Sequence, residues 1–167
     1  CYWPPWTCCF WIGAPSQLVL QGTSNNIYFV KYNESGNYIW HKQIAGTSSI
    51  NRGNTAIDSK DSIVFCAFYK GTCDSFPNLP SSYKSNTSDV LIAKFSSSGK
   101  LAWSKRVAWG PADIQSQQVT LDPKDNIYLT GVTSDTVYFD NNNRITSSGG
   151  KIINFIAKFS PQGDFIW

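Results

Sequence analysis

Apolar and polar residues alternate in several short segments of the chain, a pattern typical of strands that bury one face. In FIAKF (155–159), the alternation places three apolar residues on a single face: Phe155, Ala157 and Phe159. SPQG (160–163) follows as a turn in which Gly163 is free to take a positive φ. DFIW (164–167) continues as a second strand, so the pattern predicts an antiparallel hairpin over residues 155–167.

The same hairpin phrase occurs three times along the chain at a nearly constant interval. FVKYNESGNYIW (29–40), IAKFSSSGKLAW (92–103) and IAKFSPQGDFIW (156–167) align without a gap. Three aligned positions carry the same residue in every copy: Lys31, Lys94 and Lys158; Gly36, Gly99 and Gly163; and Trp40, Trp103 and Trp167. An interval of about 64 residues indicates an internal repeat whose unit is one supersecondary structure.

A second phrase keeps the same interval and predicts the other half of the unit. AIDSKDSIVFCAF (56–68) aligns with TLDPKDNIYLTGV (120–132). In the second copy Pro123 sets φ for a turn, and Asp125 tolerates the left-handed region. Each unit therefore predicts four antiparallel strands, A to D, with a B–C connection of roughly twenty residues.

Tandem four-stranded antiparallel units are typical of the blades of a β-propeller. The predicted fold class is therefore all-β, an incomplete β-propeller of under three blades. Its predicted parts are an aromatic and cysteine-rich segment outside the repeat (1–16), a partial blade (17–52), a full blade (53–115) and a blade truncated in its outer strand (116–167). Because closed propellers have about four to eight blades, the sequence favours a fragment of a longer polypeptide over copies that complete one another.

The repeated phrases resemble a known family. VTLDPKDNIYLTG (119–131), the Ser-Ser-Gly-Gly run (147–150) and FIAKFSPQGDFIW (155–167) are similar to seven-bladed β-propeller repeats (SBBP), and the resemblance covers residues 18–167. It implies a secreted or cell-surface protein, in a family mostly without an assigned activity. The Gly-x-x-x-Trp phrase also resembles the blade-docking phrase of quinoprotein propellers. The chain departs from these families at Asp61 and Asp125, where they usually have Gly, but Asp is compatible with that turn.

Recurrence marks candidate structural residues. The aligned Trp and Gly residues are predicted to pack blade against blade: Trp40, Trp103, Trp167, Gly36, Gly99 and Gly163. The aligned lysines on strand C are predicted to be solvated and to protect an exposed edge. The recurring Asp58, Asp61, Asp122 and Asp125 are predicted to serve turn geometry, since each turn offers two carboxylates and calcium takes about six to eight oxygens.

Candidate partner contacts lie on the B–C connections and on the D–A connections that join one blade to the next. Exposed aromatic and charged side chains on a rigid frame make good anchors, so the candidates are Arg52, Trp109 and Asp113. The two D–A connections, AGTSSINRGN (45–54) and VAWGPADIQSQ (107–117), share almost no residues. They therefore predict no common ligand.

Composition narrows the class of partner and the compartment. The net charge is +3 with 15% charged residues, which lacks the basic field that nucleic acid requires, and no apolar run is long enough for a membrane-spanning helix. Among five cysteines, Cys66 and Cys73 are a candidate disulfide, with two reduced thiols as the alternative. Asn33 and Asn86 begin N-glycosylation sequons. These features favour an extracellular or cell-surface location.

Catalytic motifs are missing from the sequence. One histidine and no Gly-x-Ser-x-Gly leave almost no material for a nucleophilic triad, and neither a metal site nor a cofactor is predicted. The predicted function is a non-catalytic extracellular module that binds a protein or a glycan. The alternatives are a self-assembling subunit of a ring or filament, completed by strand or blade exchange, and a fragment of a quinoprotein-like propeller enzyme.

Overall fold

The computed structural model describes residues 27–44 and 50–167, except residues 74, 77 and 85 and the side chains of residues 52 and 117. The described residues form antiparallel β-strands and contain no helix. In chain order the strands are β1 (Ile27–Tyr32), β2 (Tyr38–Ile44), β3 (Ile50–Ile57), β4 (Ile63–Tyr69), β5 (Asp89–Phe95), β6 (Leu101–Ala108), β7 (Ile114–Leu121), β8 (Ile127–Thr133), β9 (Val137–Tyr138), β10 (Arg144–Ile145) and β11 (Ile153–Phe159).

The strands pair in the order that the repeat predicts. A four-stranded central sheet has the order β3-β4-β5-β6, which corresponds to strands A to D of one unit. The third sheet, in the order β7-β8-β11, contains strands A to C of the next unit, and the first sheet pairs β1 with β2. Beside β11, Phe165 forms an isolated antiparallel β-bridge with Phe159, at the place where strand D of this unit is expected. The all-β, antiparallel, propeller-like fold is therefore confirmed.

The core consists of two apolar clusters, one on each face of the central sheet. Strand β4 is buried along its whole length, and its alternating side chains divide between the two clusters. Val64 and Cys66 face Ile127 and Phe155 of the third sheet. Phe65, Ala67 and Tyr69 face the other way, in the cluster that includes Ile44 of the first sheet. The three sheets are therefore stacked face to face, as successive blades are.

The B–C connections contribute to these clusters. In the connection between β4 and β5, Phe76 and Leu79 are buried in the cluster shared with the first sheet. In the connection between β8 and β11, β9 and β10 form a small hairpin that buries Val137 and Phe139. Both long connections thus pack some of their apolar side chains into the core. This packing holds the rest of each connection in a defined position at the surface.

The disulfide predicted between Cys66 and Cys73 is not formed. Cys66 lies on β4 and points into the cluster shared with the third sheet, whereas Cys73 is buried in the cluster on the opposite face of the central sheet. The sheet itself separates the two side chains, so the alternative of two reduced thiols is the one that the structure shows. Burial also raises the pKa of the Cys66 thiol to about 11, which keeps it protonated and unreactive.

The A–B turns have the geometry that their sequence predicts. Asp61 and Asp125 take φ values of 63° and 61°, in the left-handed region where the resembling families carry Gly. Asp58 accepts backbone hydrogen bonds from Lys60 and Ser62 at 2.8 and 2.7 Å. Asp122 accepts the equivalent bonds from the two aligned residues in its own turn, Lys124 and Asn126.

The aligned lysines are not the solvated edge residues that the sequence suggested. Lys94 lies 2.7 Å from the buried carboxylate of Asp58, and Lys158 lies 3.3 Å from Asp122. Each ion pair joins strand C to the A–B turn of the same unit across strand B. Two units therefore share the same cross-strand ion pair, and the interpretation of Lys94 and Lys158 as edge protection was wrong. Lys31, the third aligned lysine, lies 3.6 Å from Asp61 of the next unit.

The segment 1–16 and the first part of the partial blade lie outside the described residues. The prediction that residues 1–16 stand outside the repeat is therefore neither supported nor opposed by the structure.

Candidate interaction surface

The predicted partner loops emerge at one end of the stacked sheets. Because neighbouring strands run in opposite directions, the B–C and D–A connections share one end and the A–B and C–D turns share the other. The loop end is formed by the described residues within 70–88 and by residues 109–113 and 134–152, which connect strands of the central and third sheets. Several side chains that do not belong to the core lie close together at this end.

Three aromatic rings from adjacent sheets meet at the loop end. The rings of Trp109 and Tyr138 are 6.4 Å apart and 20° from parallel. Tyr83 and Tyr138 are 6.3 Å apart at 28°. Tyr83 is 50% exposed and the other two are half-buried, so the group presents a surface to solvent. We refer to Tyr83, Trp109 and Tyr138 as the aromatic surface.

Backbone contacts fix the position of two of these rings. The Trp109 amide donates to the Tyr138 carbonyl at 3.1 Å, and the Tyr138 amide donates back to the Trp109 carbonyl at 2.8 Å. Gly110 follows directly, and a Cβ at that position would lie 2.1 Å from the Thr136 carbonyl oxygen. The D–A connection and the β9–β10 hairpin approach this closely because residue 110 has no side chain.

A buried ion pair lies beneath the aromatic surface. The Asp89 carboxylate is completely buried, and its Oδ2 accepts hydrogen bonds from the Tyr83 amide at 2.6 Å and from Arg106 at 3.3 Å. The Arg106 guanidinium lies 4.8 Å from the centre of the Trp109 ring and donates to the Ser81 carbonyl. Asp89 is thus linked to two of the three aromatic residues.

Burial of Asp89 makes its carboxyl group harder to ionise. Burial raises the pKa of the Asp89 carboxyl to about 6, although Arg106 and the backbone amides of Tyr83 and Gly110 all favour its charged form. The free-energy cost of removing this carboxylate from water is larger than the stabilisation that these three partners give to its charged form.

Asp113, a predicted partner residue, is instead tied to the protein itself. Its Oδ1 accepts hydrogen bonds from the amide and the hydroxyl of Ser88, both at 2.8 Å, and lies 3.2 Å from Lys70. Burial acts to raise the pKa of Asp113, but the Ser88 and Lys70 contacts outweigh it and lower the pKa. Asp113 therefore anchors the D–A connection to the B–C connection of the central sheet.

The other predicted surface residues have separate positions. The backbone of Arg52 lies in β3 at an irregularity in the pairing with β4, and its side chain is outside what the structure describes. Asn33 lies in the β1–β2 turn, where its Oδ1 accepts the amides of Ser35 and Asn37. Asn86 is exposed at the loop end, next to the buried Ser88.

The aligned Trp and Gly residues meet between sheets at the turn end. Trp40 of the first sheet lies over Gly99 of the central sheet, and its Nε1 donates to the Ser97 carbonyl at 3.0 Å. Trp103 of the central sheet lies over Gly163 of the third sheet. The remaining two aligned residues differ: Gly36 has nothing near its missing Cβ, and Trp167 is 55% exposed and contacts Tyr128.

Sequence reasoning found Trp109 but missed its neighbours, namely Tyr83, Asp89, Arg106 and Tyr138. None of these residues belongs to a repeated phrase. The repeat interval, which identified the strands and turns, therefore carries no information about them. The available signal was composition, since each of the two B–C connections contains a single tyrosine.

Two other kinds of feature are absent from the described part of the chain. There, no three His, Cys, Asp or Glu side chains lie close enough together to hold a metal ion. Nor does that part contain a helix with the length and apolarity needed to cross a membrane.

Comparison with known proteins supports the architecture at a coarse level. No protein-family model matches the chain. An uncharacterized WD repeat-containing protein of Acanthamoeba polyphaga mimivirus is 27% identical to it over 158 residues, covering 84% of this chain and 11% of that protein. The chain thus spans about a tenth of the length of this relative. The similarity and the stacked antiparallel sheets together support a β-propeller-type repeat.

Proposed function

We propose that the chain is a non-catalytic β-propeller module that binds a partner protein through the aromatic surface. The observation that carries the proposal is the meeting of three aromatic rings from two sheets at the loop end. Tyr, Trp and Arg are enriched among the residues that contribute most to protein interfaces, and Tyr and Trp bury large areas at a small entropic cost. The paired backbone of Trp109 and Tyr138 supplies the rigid frame that such anchors need.

We also propose an extracellular or cell-surface location and membership in the seven-bladed repeat family. The location is supported by the exposure of Asn33 and Asn86, whose sequons lie in a turn and at the loop end. The Ser88 hydroxyl beside Asn86 is buried against Asp113, so a glycan there has to be added before this loop folds. Family membership is supported by the repeat interval and by the positive φ of Asp61 and Asp125.

Photo-crosslinking from position 83 tests the proposed interface. With p-benzoylphenylalanine in place of Tyr83, illumination of the protein in its native extract is expected to give discrete cross-linked species. Adding Trp109→Ala should reduce their yield at least about tenfold, since truncation of a hot-spot aromatic anchor costs about 2 kcal/mol or more of binding. Mass spectrometry of the adducts measures both the yield and the identity of the partner.

The same probe at Tyr32 is the matched control, because this tyrosine is exposed but lies on the first sheet at the turn end. Equal cross-linking from both positions, or none from position 83, would count against the interface. Retention on a glycan array that depends on Tyr83 and Trp109 would identify a sugar partner in place of a protein.

A second candidate function is self-association through the outer face of the third sheet. Ile156 on β11 is 60% exposed, whereas Ile92, at the aligned position of the preceding unit, is fully buried between the central and third sheets. In the central sheet, the residue at this position packs against the next sheet. The same face of the third sheet would be covered in the same way by a further sheet. Such a sheet can come from the rest of a longer polypeptide or from a second copy.

Sedimentation velocity distinguishes these two sources. If copies cover this face, the sedimentation coefficient of the chain rises with concentration, and Ile156→Lys abolishes the rise because a charge on the buried face is costly. Ile57→Lys is the control, since Ile57 is 57% exposed at the end of β3. A monomer at every concentration would remove self-association from consideration.

A further inference from the structure

Asp89 occupies an unusual position for a carboxylate. It begins β5 in the middle of the central sheet and is 0% exposed, and its Oδ1 makes no hydrogen bond of normal geometry, although the nearby Gly110 amide also favours the charged form. The other oxygen accepts from the Tyr83 amide and from Arg106. An unpartnered buried oxygen is costly in the charged form and is the natural place for a proton.

The groups that face Asp89 explain why no stronger counter-charge holds it. From β6 comes Arg106, which divides its donors between Asp89 and the Ser81 carbonyl. From β4 comes Tyr69, directly opposite in register, whose hydroxyl donates to the Pro80 carbonyl. The neighbouring acid Asp113 is already paired with Lys70. Arg106 is thus the cation in contact with Asp89, at 3.3 Å, which is long for a charged pair.

We infer that Asp89 is a proton-sensitive positioning residue for the aromatic surface. In its charged form it holds Arg106 under the Trp109 ring and fixes the Tyr83 loop. When Oδ1 gains a proton, Arg106 loses its counter-charge, and the guanidinium is free to leave the Trp109 ring for solvent. The surface is therefore ordered at neutral pH and loosened in mildly acidic conditions.

The pKa of Asp89, raised by burial to about 6, places this change near neutrality. Because the folded-state pKa lies above the ordinary value of 3.8, the protonated form is the one that folding favours. The contribution of Asp89 to stability is accordingly complete below that ordinary value and is lost as the pH rises through about 6. Loosening of the surface and gain of stability thus occur together on acidification. Because it concerns the regulation of the aromatic surface, this inference rests on the proposed function.

A ¹H–¹⁵N correlation spectrum of the whole chain tests the inference without any partner. Between about pH 8 and about pH 4.5, the Trp109 indole and Tyr83 amide signals are expected to move together with one midpoint near pH 6. Trp109→Phe assigns the indole signal. In Asp89→Asn, which keeps an oxygen for the Tyr83 amide but no charge, both signals should stay fixed.

Two controls separate Asp89 from other groups. His41→Gln removes the single histidine and should leave the transition in place. Asp113→Asn should leave it in place as well. A transition that persists in Asp89→Asn, or one that disappears in His41→Gln, would overturn the inference.

If Asp89→Asn fails to fold, the ¹³C shift of the Asp89 carboxyl in the unchanged chain gives the answer directly. A midpoint in the usual range of an exposed aspartate, about pH 4, would refute the inference. Since these spectra need no ligand, their result is independent of the cross-linking experiment. A titrating Asp89 with no cross-links would refute the proposed interface alone.

Discussion

Replacing Lys94 with methionine is expected to lower the free energy of unfolding by about 3 kcal/mol, because it leaves a buried carboxylate without its cation. The Asp58 side chain is 1% exposed and that of Lys94 is 16% exposed, with 2.7 Å between the charged atoms. Methionine keeps most of the apolar stem of lysine, so the loss reports the charge and not the packing. Urea unfolding followed by tryptophan fluorescence measures it.

Two further variants identify the source of the loss. Lys94→Met combined with Asp58→Asn should recover a large part of the stability, because the neutral amide oxygen still accepts from Lys60 and Ser62. Lys158→Met breaks the aligned pair, but its partner Asp122 is 21% exposed and reaches water, so a clearly smaller loss is expected. Equal losses from the two lysine variants would contradict an effect of burial.

The pair also sets how the protein responds to acid. Burial acts to raise the pKa of Asp58, but hydrogen bonds from Lys94, Ser62 and Lys60 outweigh it and hold the pKa at about 2. A lowered folded-state pKa contributes stability above the unfolded value of 3.8, and this contribution is lost as the pH falls through about 2. In Lys94→Met, acid unfolding should begin at a higher pH than in the unchanged chain.

The frame of the protein was predictable because its residues repeat. The strands, the turns and the stacking of sheets follow from phrases that recur at a nearly constant interval, with Gly, Asp and Trp at fixed places. The role of the aligned lysines was not predictable from the same phrases. Their partners, Asp58 and Asp122, precede them by the same stretch of chain in both copies, and a contact at that separation depends on strand order.

The candidate site was largely hidden from sequence reasoning for a different physical reason. Tyr83 and Tyr138 lie in connections whose lengths and residues differ between units, and they meet only because the two sheets stack. Asp89 begins a strand whose other residues are mostly apolar, and nothing in the sequence shows that its carboxylate is buried. The choice between a Cys66–Cys73 disulfide and two thiols stayed open for the same reason, since spacing along the chain does not reveal on which face of a sheet each cysteine lies.

Replacing Gly163 with alanine is expected to cost about 3 kcal/mol, against about 1 kcal/mol for Gly36→Ala. Both glycines occupy the same turn position, with φ of 80° and 77°, so the strain of a left-handed alanine is common to both. A Cβ on Gly163 would lie 2.9 Å from the Trp103 ring, whereas nothing lies within 4 Å of one on Gly36. The difference between the two variants therefore measures the packing of one sheet on the next.

Gly99→Ala should fall between these two, because the Trp40 ring lies 3.1 Å from that Cβ and can yield by a smaller shift. In a Trp103→Ala background the cost of Gly163→Ala should fall to that of Gly36→Ala, since the opposing ring is gone. Chemical denaturation of the two single variants and the double variant gives this coupling. If Gly163→Ala costs the same with and without Trp103, the aligned glycine serves the turn alone, and the recurring Trp has another role.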